Sequence, residues 1–203
     1  MQQTAKCKIK GIRPLLMHCF SNDTLSLERK ARTGVAGNDP EEWKKSYTAT
    51  KDGQLYVDPS YIFGCLRAAS IHTKSGRGSI QAKFSATLQV LSDKILFNRY
   101  IPEENEFLDC SPDDSVYLDV RSVKNPATKG RNVRYRVAMS AGWETEFEIQ
   151  WDNTIVSSGQ VEQVLLDAGS LVGLADGRSI GFGRFEVVSF EVLDMKNAKK
   201  SSA

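Results

Sequence analysis

The sequence predicts an α+β fold, an antiparallel sheet with helices packed on one face, of the ferredoxin-like or RRM-like kind. Three observations predict it: strand-like alternation near both ends, two amphipathic helical segments set among strands, and the order strand, excursion, strand, helix, several strands, helix, strand. Connection lengths fit a single domain over 1–195, with a variable excursion at about 21–52, a possible basic thumb hairpin at about 120–136 and a disordered tail at 196–203. The chain has 203 residues, and at roughly 150 residues per domain that is enough for one sizeable core. Its 40% apolar, 26% charged and 9% aromatic content excludes disordered, collagen-like and disulfide-dense chains.

The first strand is read at 4–12, where Ala5, Cys7 and Ile9 alternate with Lys6, Lys8 and Lys10 until Arg13 and Pro14 stop the run. Leu15, Leu16 and Met17 continue as buried extended chain. The excursion is polar, with Gly34, Gly37 and Pro40, and short helices are expected at 24–31 and 41–46. After a strand at 55–57, Asp58 and Pro59 form an N-cap and first helical position. Ile62, Phe63, Leu66 and Ala69 then fall on one face of a helix ending near His72. A helical pattern at 80–91 contains Thr87 and Val90, which leaves a strand open there. Strands follow at 95–98, 116–123, 133–139 and 145–151, the last two fit to form a hairpin across 140–142. Ser157 or Ser158 caps a helix whose Val161, Val164, Leu165, Ala168, Leu171 and Val172 make an apolar stripe for the core. Residues 185–192 alternate as the closing strand.

Charge is segregated although the net charge is only +2. No carboxylate stands between Asp58 and Asp93, where Arg67, His72, Lys74, Arg77 and Lys83 fall around a flexible Ser/Gly stretch at 75–79. A second basic block holds Arg121, Lys124, Lys129, Arg131, Arg134 and Arg136 before the next acid, Glu144; the acids Glu103, Glu104, Glu106, Asp109, Asp113, Asp114 and Asp119 lie between the blocks. A polyanion would follow the basic blocks, since Lys and Arg contacts to phosphate supply sequence-independent affinity. Each block is otherwise an ordinary solvated face. Tyr135, between Arg134 and Arg136, either stacks a base or packs as a strand residue. His72 either meets a phosphate or sits at a helix C-terminus that favours its charged form.

The four cysteines, Cys7, Cys19, Cys65 and Cys110, have no C-x-x-C spacing and read as buried free thiols. Two histidines 54 residues apart, His18 and His72, offer no convergent ligand set, so no metal is expected. His18 and Cys19 would point to opposite faces of a strand and form no catalytic pair. No apolar run reaches the ~18 residues of a membrane span, and the N-terminus has no signal-peptide pattern, so the expected compartment is the cytoplasm, with no membrane partner.

Between the second amphipathic helix and the last strand, the 173–184 segment carries Gly173, Gly177, Gly181 and Gly183 with Arg178, Ser179, Phe182 and Arg184. Glycines let backbone approach another chain closely, and arginines beside them grip phosphates. There is no G-K-[ST], and the glycines follow a helix and precede a strand, the reverse of a dinucleotide fingerprint. Nucleotide cofactors are disfavoured, and no cofactor is expected.

This helix, glycine-rich loop and strand, from Val161 through Gly173 and from Asp176 through Arg184 into Phe185, resembles the C-terminal part of the RAMP superfamily, the RRM-like proteins of CRISPR ribonucleoproteins. Tyr56, Val57, Asp58 and Pro59 leading to Gly64 and Arg67 are similar to the family's strand, proline-initiated helix and Gly-x-x-Arg. The chain departs from that pattern in lacking a Gly-Ser-Ser stretch after the proline and in having Phe63 where a lysine is usual. The resemblance implies a backbone subunit that assembles side by side with copies of itself and other subunits along a guide RNA, meeting a target nucleic acid, with the 120–136 segment as a thumb among the bases. Such a subunit reads phosphate and shape, and leaves sequence to base pairing. It implies two alternatives: a metal-dependent endoribonuclease using Asp23 or Asp39 of the excursion, and a phage single-stranded DNA-binding or recombination-associated protein of the same fold. An aspartate such as Asp23 also serves simply to cap a helix. Trp43 is a candidate anchor for a neighbouring subunit, or local packing.

Overall fold

The computed structural model describes residues 1–19, 40–124 and 130–193. In chain order the elements are β1 (Gln2–Gly11), β2 (Leu15–Leu16), β3 (Thr48–Ala49), β4 (Gln54–Val57), α1 (Pro59–Ala69), β5 (Lys74–Ser75), β6 (Gly78–Ser79), α2 (Gln81–Thr87), β7 (Gln89–Val90), β8 (Ile95–Tyr100), α3 (Glu104–Asp109), β9 (Val116–Lys124), β10 (Arg131–Met139), β11 (Glu144–Asp152), α4 (Ser158–Asp167) and β12 (Phe185–Leu193). The fold is α+β, as the sequence predicts. Its main antiparallel sheet runs β12-β1-β11-β8-β4-β3, with β7 also paired to β11. A second sheet, β2-β10-β9, carries the basic ribbon.

β1 shows why the sheet has one dry face. Ala5, Cys7 and Ile9 are fully buried beneath the helices, while Lys6, Lys8 and Lys10 stand opposite Glu148, Glu146 and Glu144 of β11. Across β12, Lys6 and Lys10 face Glu191 and Glu186. Lys6 Nζ is 2.8 Å from Glu146 and Lys8 Nζ 3.3 Å from Glu144. Exposed pairs of this kind contribute little stability. They do leave the open face with more glutamates than lysines.

The helices follow from local signals. Asp58 accepts from the Ser60 amide at 2.8 Å and Pro59 opens α1, whose Ile62, Cys65, Leu66 and Ala69 are buried. α1 ends at Ala69, short of His72, because the Ser70 hydroxyl bonds back to the Arg67 carbonyl and the chain turns into buried Thr73. Ser157 and Gln160 form a capping box on α4. A π-turn, Ala168–Val172, then rotates the end of the expected stripe outward, so Val172 is half-buried and Leu171 is 50% exposed. Residues 80–91 satisfy both readings in turn, α2 and then β7.

The strand pairing departs from expectation. β10 pairs along its length with β9, from Arg131 opposite Lys124 to Met139 opposite Val116, and forms no hairpin with β11. The 140–142 connection crosses between sheets because Trp143 is drawn into the core. Its ring lies against Gly11, where an added Cβ would come within 2.1 Å of it, and its Nε1–H donates to the Arg13 carbonyl at 2.9 Å. Trp43 is no exposed anchor: it is 5% exposed, 4.7 Å from the Phe107 ring and stacked with Tyr47. α3, which carries Phe107, lies within the acidic stretch and has no predicted counterpart. The expected helix at 24–31 and the tail at 196–203 lie outside the described residues, as do Asp23, Asp39 and Lys129.

Cys7, Cys19 and Cys65 are buried, whereas Cys110 at the end of α3 is half-buried. Burial pushes the Cys7 and Cys65 thiols up to about 12. At pH 8 Ellman's reagent is expected to titrate one thiol promptly in the native protein and four after denaturation. Two or more fast native thiols would contradict this packing.

Candidate nucleic-acid interface

β9 and β10 form a ribbon buried at its base, at Val116, Tyr117, Val137, Ala138 and Met139, and exposed towards Lys124 and Arg131. Against its base folds the glycine-rich loop. The loop closes on itself through the Leu174 amide donating to Gly183 O at 2.9 Å, and it is pinned to the chain around β2 by Gly183 N–H to Pro14 O at 2.8 Å and Asp176 N–H to Leu16 O at 3.1 Å. Gly183 has φ +69°, and a Cβ there would lie 1.9 Å from the Leu174 carbonyl oxygen. Its lack of a side chain serves this internal closure. Gly177 likewise has Leu16 and Phe182 beside it, whereas Gly181 faces open space.

Between ribbon and loop lies a cleft of about 880 Å³ whose lining includes Arg121, Lys124, Arg134, Arg136, Arg178 and Arg184. These cations do different things. Arg136 is 5% exposed and hydrogen-bonds Asp176, with its other terminal nitrogen 3.7 Å from Asp119, so it clamps ribbon to loop. Burial opposes charge on Asp176, but the Gly177 amide and Arg136 outweigh it and hold the carboxyl below the usual range. Arg121 donates to Asp119 at 2.6 Å and sits 4.5 Å over the Phe182 ring. Arg134 pairs with Glu42 at 2.7 Å, and Glu42 also accepts from the Tyr135 amide at 3.1 Å. The Tyr135 side chain packs partly buried against the core. His18 lines the cleft beside Arg134; burial first, then that guanidinium, holds its imidazole below its ordinary value.

Lys124, Arg178 and Arg184 remain. Lys124 and Arg178 are exposed, Arg184 is half-buried with a buried Nη1 lacking a hydrogen-bond partner, and none of the three forms an ion pair with a described residue. Ser179 lines the same cleft, and Arg131 is exposed on β10.

The first basic block is elsewhere. Arg67, His72, Lys74, Arg77 and Lys83 are exposed on α1, the turn that follows it, the β5–β6 ribbon and α2, and none lines the cleft, to which α1 contributes Ala68. Gly64 does reach this side, sharing a depression of about 220 Å³ with Tyr61 and Arg178. Glu42, Asp119 and Asp176 are the residues sequence reasoning passed over. Asp119 was legible, because residues two apart on a strand share a face and it precedes Arg121 by two; Glu42 and Asp176 reach the ribbon only through the fold.

No protein-family model and no curated protein matches the chain. Among solved structures it is similar to a chain of the complex described as the Type III-B Cmr-beta bound to cognate target RNA, at a TM-score of 0.50. The likeness is one of fold. Identity is 15%, the alignment covers 95% of this chain and 61% of the other, and the chain thus spans about three fifths of that neighbour's length. No described helix is long and apolar enough to cross a membrane.

Proposed function

We propose that this chain is an RNA-binding subunit of a CRISPR-type ribonucleoprotein, holding the sugar-phosphate backbone of a guide RNA in the cleft and assembling with copies of itself or other subunits along it. The observation that carries the proposal is the asymmetry of charge. Acidic groups dominate the open sheet face, whereas the cleft presents Lys124, Arg178 and Arg184 without carboxylate partners among the described residues. A polyanion is repelled from the first surface and attracted to the second. The fold it shares with a chain of a complex bound to target RNA supports RNA as that polyanion. Contacts of this type grip phosphate and leave base sequence unread.

The β9–β10 ribbon, with Arg121, Lys124 and Arg131 exposed, is the element we assign to reach along the strand from the cleft.

The test is purification without nuclease, followed by absorbance ratio, size exclusion and sequencing of bound nucleic acid. Short RNAs of uniform length in a particle several times 22.6 kDa are the expected result. A nucleic-acid-free monomer that fails to bind single-stranded RNA at low salt would overturn the proposal. Equal or tighter binding of single-stranded DNA of the same sequence would favour the DNA-binding alternative, since the 2′-hydroxyl is what separates the two ligands.

A further inference from the structure

The ribbon leaves one edge of its sheet open. Among the described strands β9 pairs with β10 alone, so the sheet β2-β10-β9 ends on it. The direction of its backbone groups follows from β10. The Val137 amide donates to Ser46 Oγ at 3.1 Å and its carbonyl accepts from the Met17 amide at 2.9 Å, while the Tyr135 amide donates to Glu42. Val137 and Tyr135 therefore turn their backbone away from β9, and the residues opposite them, Leu118 and Val120, turn theirs away from β10. No described residue bonds to these outward amides and carbonyls.

That edge borders a cavity of about 800 Å³. Every residue of 117–121 lines it, and since consecutive strand residues face opposite sides of a sheet, a cavity that touches all five runs along the edge itself. Its lining also includes Arg13, Pro14, Ile180 and Phe182.

Three features define the occupant. Outward donors and acceptors recur at every second residue, about 7 Å apart, which is the repeat of another extended backbone. A phosphate strand would meet the donors but set its own charge against the carbonyls. Val120 and Ile180, 50% and 66% exposed, and the Phe182 ring favour aliphatic side chains. Arg13 is exposed and forms no ion pair with a described residue, which favours a carboxylate.

We propose that the free edge of β9 is a docking site for an extended segment of a second protein, alternating apolar and acidic residues, which adds to the sheet as a further strand. It makes no use of Lys124, Arg178 or Arg184, so it stands or falls apart from the RNA reading of the cleft.

The probe is the peptide Thr-Val-Glu-Val-Glu-Val-Thr, amidated at its C-terminus, labelled at its N-terminus with a neutral dye and titrated by fluorescence anisotropy against the full chain. Val120→Pro removes an outward amide and leaves the bonds to β10, since an edge strand tolerates proline where its nitrogen faces out; Val120→Thr keeps the amide. With thermal midpoints matched, Val120→Thr is expected to bind within about threefold of the wild type and Val120→Pro roughly tenfold more weakly, as one lost hydrogen bond between chains amounts to. The same peptide N-methylated throughout keeps its side chains, loses its amide donors and is expected not to bind, which tests the pairing without any change to the protein. Glutamine in place of both glutamates is expected to weaken binding about two- to fivefold in the wild type and to make no difference in Arg13→Gln. No binding by the wild type, binding that survives Val120→Pro or N-methylation, or a glutamine peptide held as tightly as the glutamate one would overturn the proposal. So would two other outcomes. If Val120→Pro weakens an oligocytidylate of about 12 nucleotides as much as the peptide, the edge belongs to the nucleic acid; if it abolishes a self-association seen without nucleic acid, a second copy's strand covers the edge.

Discussion

Replacing Lys124, Arg178 and Arg184 together with glutamine is expected to weaken single-stranded RNA binding by roughly ten- to a hundredfold near 0.1 M salt and to reduce the salt slope by about 2, since each single-strand phosphate contact releases about 0.7 of a counterion. The loss should be the same for unrelated RNA sequences, because the lost contacts are to phosphate. A matched variant makes the result specific. Lys6, Lys8 and Lys10 changed to glutamine on the open sheet face give the same change in net charge, from +2 to −1, each replacement removing one positive charge. That face already pairs its lysines with glutamates, so the second variant is expected to bind RNA within about threefold of wild type, the residue being long-range charge. If electrophoretic and fluorescence titrations show both variants weakened equally, binding follows bulk charge and the cleft has no special part in it. Arg136 is deliberately left untouched: with Asp119 and Asp176 around it, removing it would leave buried carboxylate without its partner and loosen the ribbon from the loop, confounding binding with stability.

Periodicity made the fold class legible because the elements that define it obey one rule each. β1 alternates strictly, and its apolar half is the buried half. Asp58 and Pro59 announce α1, and Ser157 with Gln160 announces α4. Partner choice is a different matter. Two strands joined by 140–142 look like a hairpin by distance along the chain, yet β10 and β11 belong to different sheets. What separates them is a non-local fit, the Trp143 indole over Gly11, and no local propensity encodes which residue 132 positions away lacks a side chain. The basic block was legible as a block, but which of its charges are paired was not. Half of the cleft's cations, Arg121, Arg134 and Arg136, are engaged by Asp119, Glu42 and Asp176, whereas two of those left without an ion pair, Arg178 and Arg184, come from the glycine-rich segment. Trp43 resolves to packing rather than an anchor, and its site was hidden for a related reason: its partner Phe107 lies in α3, inside an acidic stretch that shows no helical stripe.

Gly183→Ala is expected to destabilise the protein by about 3 kcal/mol or more, from an overpacking cost of about 1–3 kcal/mol added to about 1–2 kcal/mol for a side chain in the left-handed region. In a chain of this size that corresponds to a fall in thermal midpoint of roughly 10 °C. The reasoning turns on which neighbour the new methyl group meets. At Gly183 it meets the Leu174 carbonyl oxygen at 1.9 Å and the Leu174 amide nitrogen at 2.7 Å, backbone atoms that close the loop and cannot swing aside. Gly181 is the control within the same loop. It too has a positive φ, +93°, but an added Cβ meets nothing within 4 Å, so Gly181→Ala should cost only the conformational term of about 1–2 kcal/mol. Urea titration of both variants measures the difference directly. A Gly183 variant as stable as the Gly181 variant would mean that the loop closes by some other route, and the internal account of its glycines would fall. The same pair separates stability from binding. Below the melting transition, the Gly183 variant should also lose RNA affinity, because Gly183 N–H to Pro14 and O to Leu174 are what hold Arg178 and Arg184 against the ribbon. Gly181→Ala, with its open side, leaves both arginines where they are and should bind as the wild type does.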